Sequence, residues 1–357
     1  MDLAKKYKTS PDFERLRTAL LRGTPDRVPL QELIIDRRIQ ARFLERPIES
    51  VLDSVEFFAK AGYDAIRLSP KVTFKPKELV GSQSVTQASD QDIERTWYSE
   101  GQGLVTDWAS FEAYPWPKPE EIDYSDFEQA QHNLPEGLKI LAHYGDIFTW
   151  IWDIMGFETF SIALYEQPDL ISALFEKVGS LIYGMFETMV TFDNIGALWY
   201  SDDIAIGSGP FVNPEVFRRY LFPWMKKIGD LAKAHHLPYI YHSDGDLWLL
   251  LDDIAACGVD ALQPIEPKAM DIRELKRQYG NRFCLIGNLD LEYTLTRGTP
   301  DEVARATKGL IRDLAPSGGY CVGSGNSVPA YVPFENFLAM VETTLQYGKY
   351  PIQIDEP

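Results

Sequence analysis

The chain is short of cysteine: Cys257, Cys284 and Cys321 are its only three in 357 residues, and no two form a Cys-x-x-Cys pair. That pattern argues against a disulfide framework and points to a reducing, cytoplasmic setting. No run of about 18 apolar residues occurs, so no membrane span is expected. The opening Met1-Asp-Leu-Ala-Lys-Lys-Tyr7 lacks the apolar stretch of a signal peptide. Positive charge is also scarce. Thirty-five Lys and Arg stand against 53 Asp and Glu, a net charge of −18. So acidic a surface repels phosphate backbones, and nucleic acid is not an expected partner. Histidine is limited to five, and the His235-His236 pair ends a helical stretch, where cationic side chains suit the dipole better than a metal.

Hydrophobic residues make up 45% of the chain and aromatic residues 13%, enough for one large core. Residues 1–357 are read as one domain, since α/β barrels routinely exceed 250 residues. Eight short apolar runs alternate with helical patterns. The strands are expected over 28–34, 63–69, 138–144, 195–200, 239–241, 260–264, 283–286 and 319–322. Helices are expected over 10–22, opened by Ser10-Pro11, and over 48–61, 147–192, 213–236, 247–257, 271–279, 299 onward and 333–347. This alternation predicts an α/β fold, a (β/α)8 TIM barrel, with a doubly wound sheet as the alternative. Residues 70–135 break the rhythm. They read as an insertion over the barrel mouth, with a hairpin-like stretch from Arg95 to Trp108.

In a barrel the residues just after each strand gather at the C-terminal face. Here they are Glu32 and Asp36, Arg67 and Ser69, Tyr144 and Asp146, then Tyr200, Asp202 and Asp203. The second half adds His242, Asp244, Asp246, Glu266, Asn288, Asp290, Ser324 and Asn326. So many carboxylates repel one another unless protons, arginines or a metal intervene. One solution is zinc or another divalent metal on His242, Asp244 and Glu266. The other is metal-free acid/base chemistry by carboxylates with raised pKa values. Glu32, Asp36, Arg67, Tyr144, Asp146, Tyr200, Asp202, Asn288 and Asn326 are the expected substrate contacts. Structural readings stand beside these: Asp246 as a helix N-cap, Asp203 and Asp290 as loop-closing acceptors, Cys321 as core.

Several segments together resemble the uroporphyrinogen decarboxylase superfamily, which includes corrinoid-dependent methyltransferases. They are Ala19-Leu-Leu-Arg-Gly-Thr-Pro-Asp-Arg-Val-Pro29, Asn213-Pro-Glu-Val-Phe-Arg-Arg-Tyr-Leu-Phe-Pro223, His242-Ser-Asp-Gly245, Gly258-Val-Asp-Ala-Leu262, Gly287-Asn-Leu-Asp290, Gly318-Gly-Tyr-Cys-Val-Gly-Ser-Gly-Asn326 and Pro333-Phe-Glu-Asn336. The resemblance implies the same barrel. The decarboxylases' Arg-Gln-Ala-Gly-Arg run reads Glu32-Leu-Ile-Ile-Asp36 here, their aspartate after the second strand falls at about Pro70, and their late histidine at Gly325 or Asn326. The methyltransferase branch carries a His-x-Cys…Cys zinc site. His242 matches its histidine, Asp244 stands at the first cysteine, and the second falls near Gly325 or Asn326. The resemblance therefore implies methyl transfer with a small-molecule substrate and a corrinoid carried by a partner protein, assisted by a His/carboxylate centre. Alternatives are decarboxylation of uroporphyrinogen or a related acid, and a non-catalytic barrel binding a tetrapyrrole or corrinoid. A homodimer is left open.

Overall fold

The computed structural model describes residues 1–74 and 103–354. Seven strands form one parallel sheet whose order follows the chain: β1 (Ala65–Leu68), β2 (Lys139–Gly145), β3 (Ile195–Ser201), β4 (Tyr239–His242), β5 (Ala261–Gln263), β6 (Cys284–Ile286) and β7 (Tyr320–Cys321). Helices cross between them on the outside, and the sheet curls into a (β/α)8 TIM barrel.

The expected first strand over 28–34 is reduced to bridges. Pro29 has no N–H to donate, so its stretch gives β7 only two ladder bonds: Gln31 N–H to Val322 O, and Val322 N–H to Pro29 O, both at 2.9 Å. On its other side a side chain makes the connection to the β1 region. Arg27 donates to Gly62 O at 2.9 Å and reaches the Asp64 carboxylate at 3.4 Å.

Strand side chains alternate between two faces, and the buried residues divide accordingly. Ala65, Leu141, Ala197, Trp199, Ile240, Ala261, Cys284, Ile286 and Cys321 point into the barrel. They pack there with Phe13, Leu16, Ala19 and Leu20 of the helix Phe13–Leu20, which fills the N-terminal end. Cys284 and Cys321 meet in this plug with sulfurs 4.0 Å apart. Their neighbours Ile66, Leu68, Ala142, Leu198, Tyr200, Tyr241, Leu262, Leu285 and Tyr320 face outward, against the helices.

Most helices begin where a capping side chain can accept. The first starts two residues later than expected, because Asp12 rather than Ser10 accepts the Glu14 N–H. Asn213, Asp271 and Thr299 cap their helices as the sequence predicts. Most of the hairpin expected over 95–108 lies outside the described residues. The end of the 70–135 segment that precedes β2 joins the outer layer. Its helix Ser125–Gln131 buries Phe127, with the Phe192 ring 5.3 Å away.

Candidate active site

Continuing the inward alternation one step toward the C-terminal face changes its chemistry. Above the apolar plug, β1 to β5 present Arg67, His143, Ser201, His242 and Gln263. These polar side chains are joined in two hydrogen-bonded runs.

In the first run Arg67 Nη1 donates to His143 Nδ1 and to Ser69 Oγ, both at 2.9 Å, and Ser69 Oγ lies 2.7 Å from the same ring nitrogen. A guanidinium can only donate, so His143 Nδ1 must be unprotonated. His143 Nε2 then donates to Ser201 Oγ at 2.7 Å. Burial, then the Arg67 and His242 charges, hold the His143 pKa well below 6.5. It is a neutral imidazole at physiological pH. Burial also lowers the Arg67 pKa to about 10, which leaves it charged.

The second run fixes His242. Gln263 donates its amide N–H to Asn326 O at 2.8 Å, which turns Gln263 Oε1 toward His242 Nδ1. An amide oxygen only accepts, so His242 Nδ1 carries the proton. Its Nε2 lone pair is thereby aimed at Asp203, whose Oδ1 lies 3.7 Å away. Asp203, His242 and Asp244 each offer one donor atom, and these atoms all lie within 4.8 Å of one another. Asp244 Oδ2 accepts from Asn326 Nδ2 at 2.6 Å, while Asp244 Oδ1 is buried without a hydrogen-bond partner. Burial first, with repulsion from Asp203 and Glu266 against attraction from His242, raises the Asp244 pKa to about 6. An unsatisfied buried carboxylate oxygen beside an imidazole lone pair fits a divalent cation, with Gln263 holding the ligand tautomer from behind.

The turn after β4 supports this centre. Gly245 has φ +86°, and a Cβ there would lie 2.5 Å from the Ala205 backbone. Its N–H donates to Glu266 Oε2 at 3.0 Å, and the Asp244 N–H donates to Asp203 Oδ1 at 2.9 Å. Glu266, expected as a ligand, is thus the acceptor that holds the turn. The Asp203 carboxylate takes the third place in the donor group.

Several expected substrate contacts lie elsewhere. Tyr200 and Asp202 are wholly buried, on the outer face of β3. Asp202 accepts from Phe148 N–H at 2.7 Å, Thr149 N–H at 3.0 Å, Thr149 Oγ1 at 2.9 Å and the Tyr200 hydroxyl at 2.6 Å. It caps the helix Ile147–Met155 from a neighbouring strand, because Asp146 enters that helix left-handed at φ +70° and offers no cap of its own. Tyr144 also faces outward and stacks 6.4 Å from Phe74. Asp36 caps the helix Arg37–Leu44 and pairs with Arg38 at 3.2 Å. Glu32 is sealed in the wall, where it accepts Ser324 N–H and Oγ–H at 2.7 Å each; burial raises its pKa to about 8. Asn288 Nδ2 donates to Ile265 O at 2.9 Å. It lines a groove of about 510 Å³ with Pro267, Met270 and Leu310. Of the expected contacts, Arg67 and Asn326 reach the polar interior. His143, Ser201, Asp203 and Gln263 complete it.

Comparison with known proteins places this arrangement among relatives. The sequence profile described as Uroporphyrinogen decarboxylase (URO-D) matches residues 106–347. A uroporphyrinogen decarboxylase of Coxiella burnetii (strain Dugway 5J108-111) is 24% identical over 214 residues, 56% of this chain and 53% of its own. The methylcobamide:CoM methyltransferase MtaA of Methanosarcina barkeri is 29% identical over 143 residues, 40% of each chain. The chain thus spans about half the length or less of these two curated relatives. A solved methyltransferase from Methanosarcina mazei superposes over 94% of this chain and 99% of its own, with TM-score 0.66 and 18% identity.

Proposed function

Because the chain belongs to the uroporphyrinogen decarboxylase (URO-D) family, we propose that it is an enzyme of methyl transfer, exchanging a methyl group between a corrinoid carried by a partner protein and a small-molecule substrate. The observation that carries this reading is the His242 centre. A tautomer-locked imidazole and two carboxylates, one with an unpartnered buried oxygen, together make a donor group of the kind that takes a divalent metal. The likeness to a methylcobamide:CoM methyltransferase supports the reaction class.

His242 Nε2, Asp203 and Asp244 would hold the metal, and Gln263 and Asn326 would orient two of these ligands. The metal would supply Lewis acidity, lowering the pKa of a thiol, hydroxyl or water acceptor. Oxygen-rich ligands make the site harder than a thiolate set, which favours zinc, manganese or iron over softer ions. The neighbouring His143, neutral and hydrogen-bonded at both nitrogens, shapes the cleft and adds no charge to it.

The test is elemental analysis of wild type beside His242→Ala and Glu266→Gln, followed by demethylation of methylcobalamin by a thiol. About one equivalent of metal in wild type and Glu266→Gln, lost in His242→Ala along with methyl transfer, is the expected result. A protein that stays metal-free after incubation with zinc would refute this mechanism. Metal-free decarboxylation, with Asp244 as the acid, would then be the better account.

A further inference from the structure

Elsewhere in the fold, buried arginines are neutralised. Arg15 lies 2.6 Å from both Asp26 and Asp64, and Arg27 lies 3.4 Å from Asp64. Arg67 differs. Its partners among the described residues are the hydroxyl of Ser69 and the ring of His143, both neutral, and both are reached from Nη1 alone. Burial lowers its pKa to about 10, and among the described residues no carboxylate forms an ion pair with it. The carboxylates of the donor group, Asp203 and Asp244, are carried on the turns after β3 and β4.

Holding a charged group in a half-buried position without a counter-ion costs free energy. Here the polar remainder of that group also stays unused. The Nε–Nη2 edge of Arg67 carries three N–H donors that no hydrogen bond among the described residues occupies, and the residue is half-buried rather than sealed. That edge is planar and has the spacing of a two-point contact to a carboxylate. His143 and Ser69 fix its orientation, because Nη1 is pinned between them. The cleft therefore carries a cation on β1 and an acidic donor group after β3 and β4.

We propose that Arg67, oriented by Ser69 and His143, is the subsite for the carboxylate of a small-molecule substrate whose reacting end reaches the His242 centre. The carboxylate supplies the missing counter-charge. The acidic side of the mouth disfavours a second anionic group on the same molecule, so the substrate class is a small monocarboxylate. This rests on the reading that chemistry takes place at His242, but the subsite can be tested without turnover.

Propionate is titrated calorimetrically into wild type, Arg67→Gln, Arg67→Lys and His242→Ala, with inorganic phosphate as the comparison anion. Saturable propionate binding by wild type is expected. It should weaken about tenfold or more in Arg67→Gln, the scale of a lost charge-assisted contact, and recover in part in Arg67→Lys. The melting temperature of Arg67→Gln should equal or exceed that of wild type, since an unpaired charge has been removed. His242→Ala should still bind propionate, so loss of the metal reading leaves the subsite standing. Absence of saturable propionate binding, phosphate binding tighter than propionate, equal binding by Arg67→Gln, or a markedly lower melting temperature in that variant would each overturn the proposal.

Discussion

Asp202 and Asp203 are adjacent in sequence, and the structure assigns them opposite tasks. Asp202→Ala removes the acceptor of four donors, two buried and two partly buried: two backbone N–H groups opening the helix Ile147–Met155, the Thr149 hydroxyl and the Tyr200 hydroxyl. At roughly 1.5 kcal/mol each, the lost bonds amount to about 6 kcal/mol. The carboxylate itself is disfavoured by burial, which raises its pKa from 3.8 to about 6. Removing it returns about 3 kcal/mol at neutral pH, at 1.36 kcal/mol per pKa unit. The net loss is about 3 kcal/mol. With an unfolding entropy near 2.1 cal/mol/K per residue over 357 residues, that lowers the melting temperature by about 4 °C. Asp203→Ala, half-exposed and outside any helix cap, should shift melting by about 1 °C or less but weaken metal binding at least about tenfold. Calorimetry on both variants, with metal content measured in parallel, checks the pair. Equal melting of Asp202→Ala and wild type, or metal loss in Asp202→Ala matched by retention in Asp203→Ala, would refute the facing of β3 on which the site depends.

Gln263→Leu frees His242 Nδ1 from its acceptor, so metal affinity should fall about 10- to 100-fold in a chelator competition while the fold persists; unchanged affinity would count against the tautomer argument. Glu32, with a folded pKa of about 8 against an ordinary 4.5, favours its protonated form in the fold. That stability is complete below pH 4.5 and is lost as pH rises through 8. Glu32→Gln keeps the Ser324 contacts without the ionisation and should melt several degrees above wild type at pH 9, with the advantage gone by pH 5. A constant difference at both pH values would show that burial does not govern this carboxyl.

The strand ends were legible in the sequence because apolar runs stop where the barrel opens. The His242-Ser-Asp-Gly245 turn and the caps at Asn213, Asp271, Asp290 and Thr299 follow from local chemistry, whereas Asp246 accepts the Trp248 N–H in a turn and its helix opens only at Leu251. Facing was not legible. A parallel barrel strand is buried on both sides, so Ile195–Tyr200 is apolar throughout and carries no contrast to show that Trp199 points in and Tyr200 out. Choosing Tyr200 and Asp202 over Ser201 and Asp203 was a one-residue error of phase. The same error on β2 favoured Tyr144 and passed over His143, where a register shift at Ile140 and Leu141 disturbs the pattern further. Alternation counted back from Asp244 through His242 to Ile240 would have fixed the phase on β4, and pairing Ser201 with His242 transfers it to β3. Glu266 stands between Pro264 and Pro267, and its carboxylate receives the Gly245 N–H.

The helix Phe13–Leu20 corks one end of the barrel with Phe13, Leu16, Ala19 and Leu20. Traffic therefore goes by the C-terminal face. Anything lodged beside Arg67 enters and leaves by that face, and a protein-borne group docked there would block the exit while it stayed. The small molecule would have to arrive first and depart last, an order of events imposed by four apolar side chains at the far end from the chemistry.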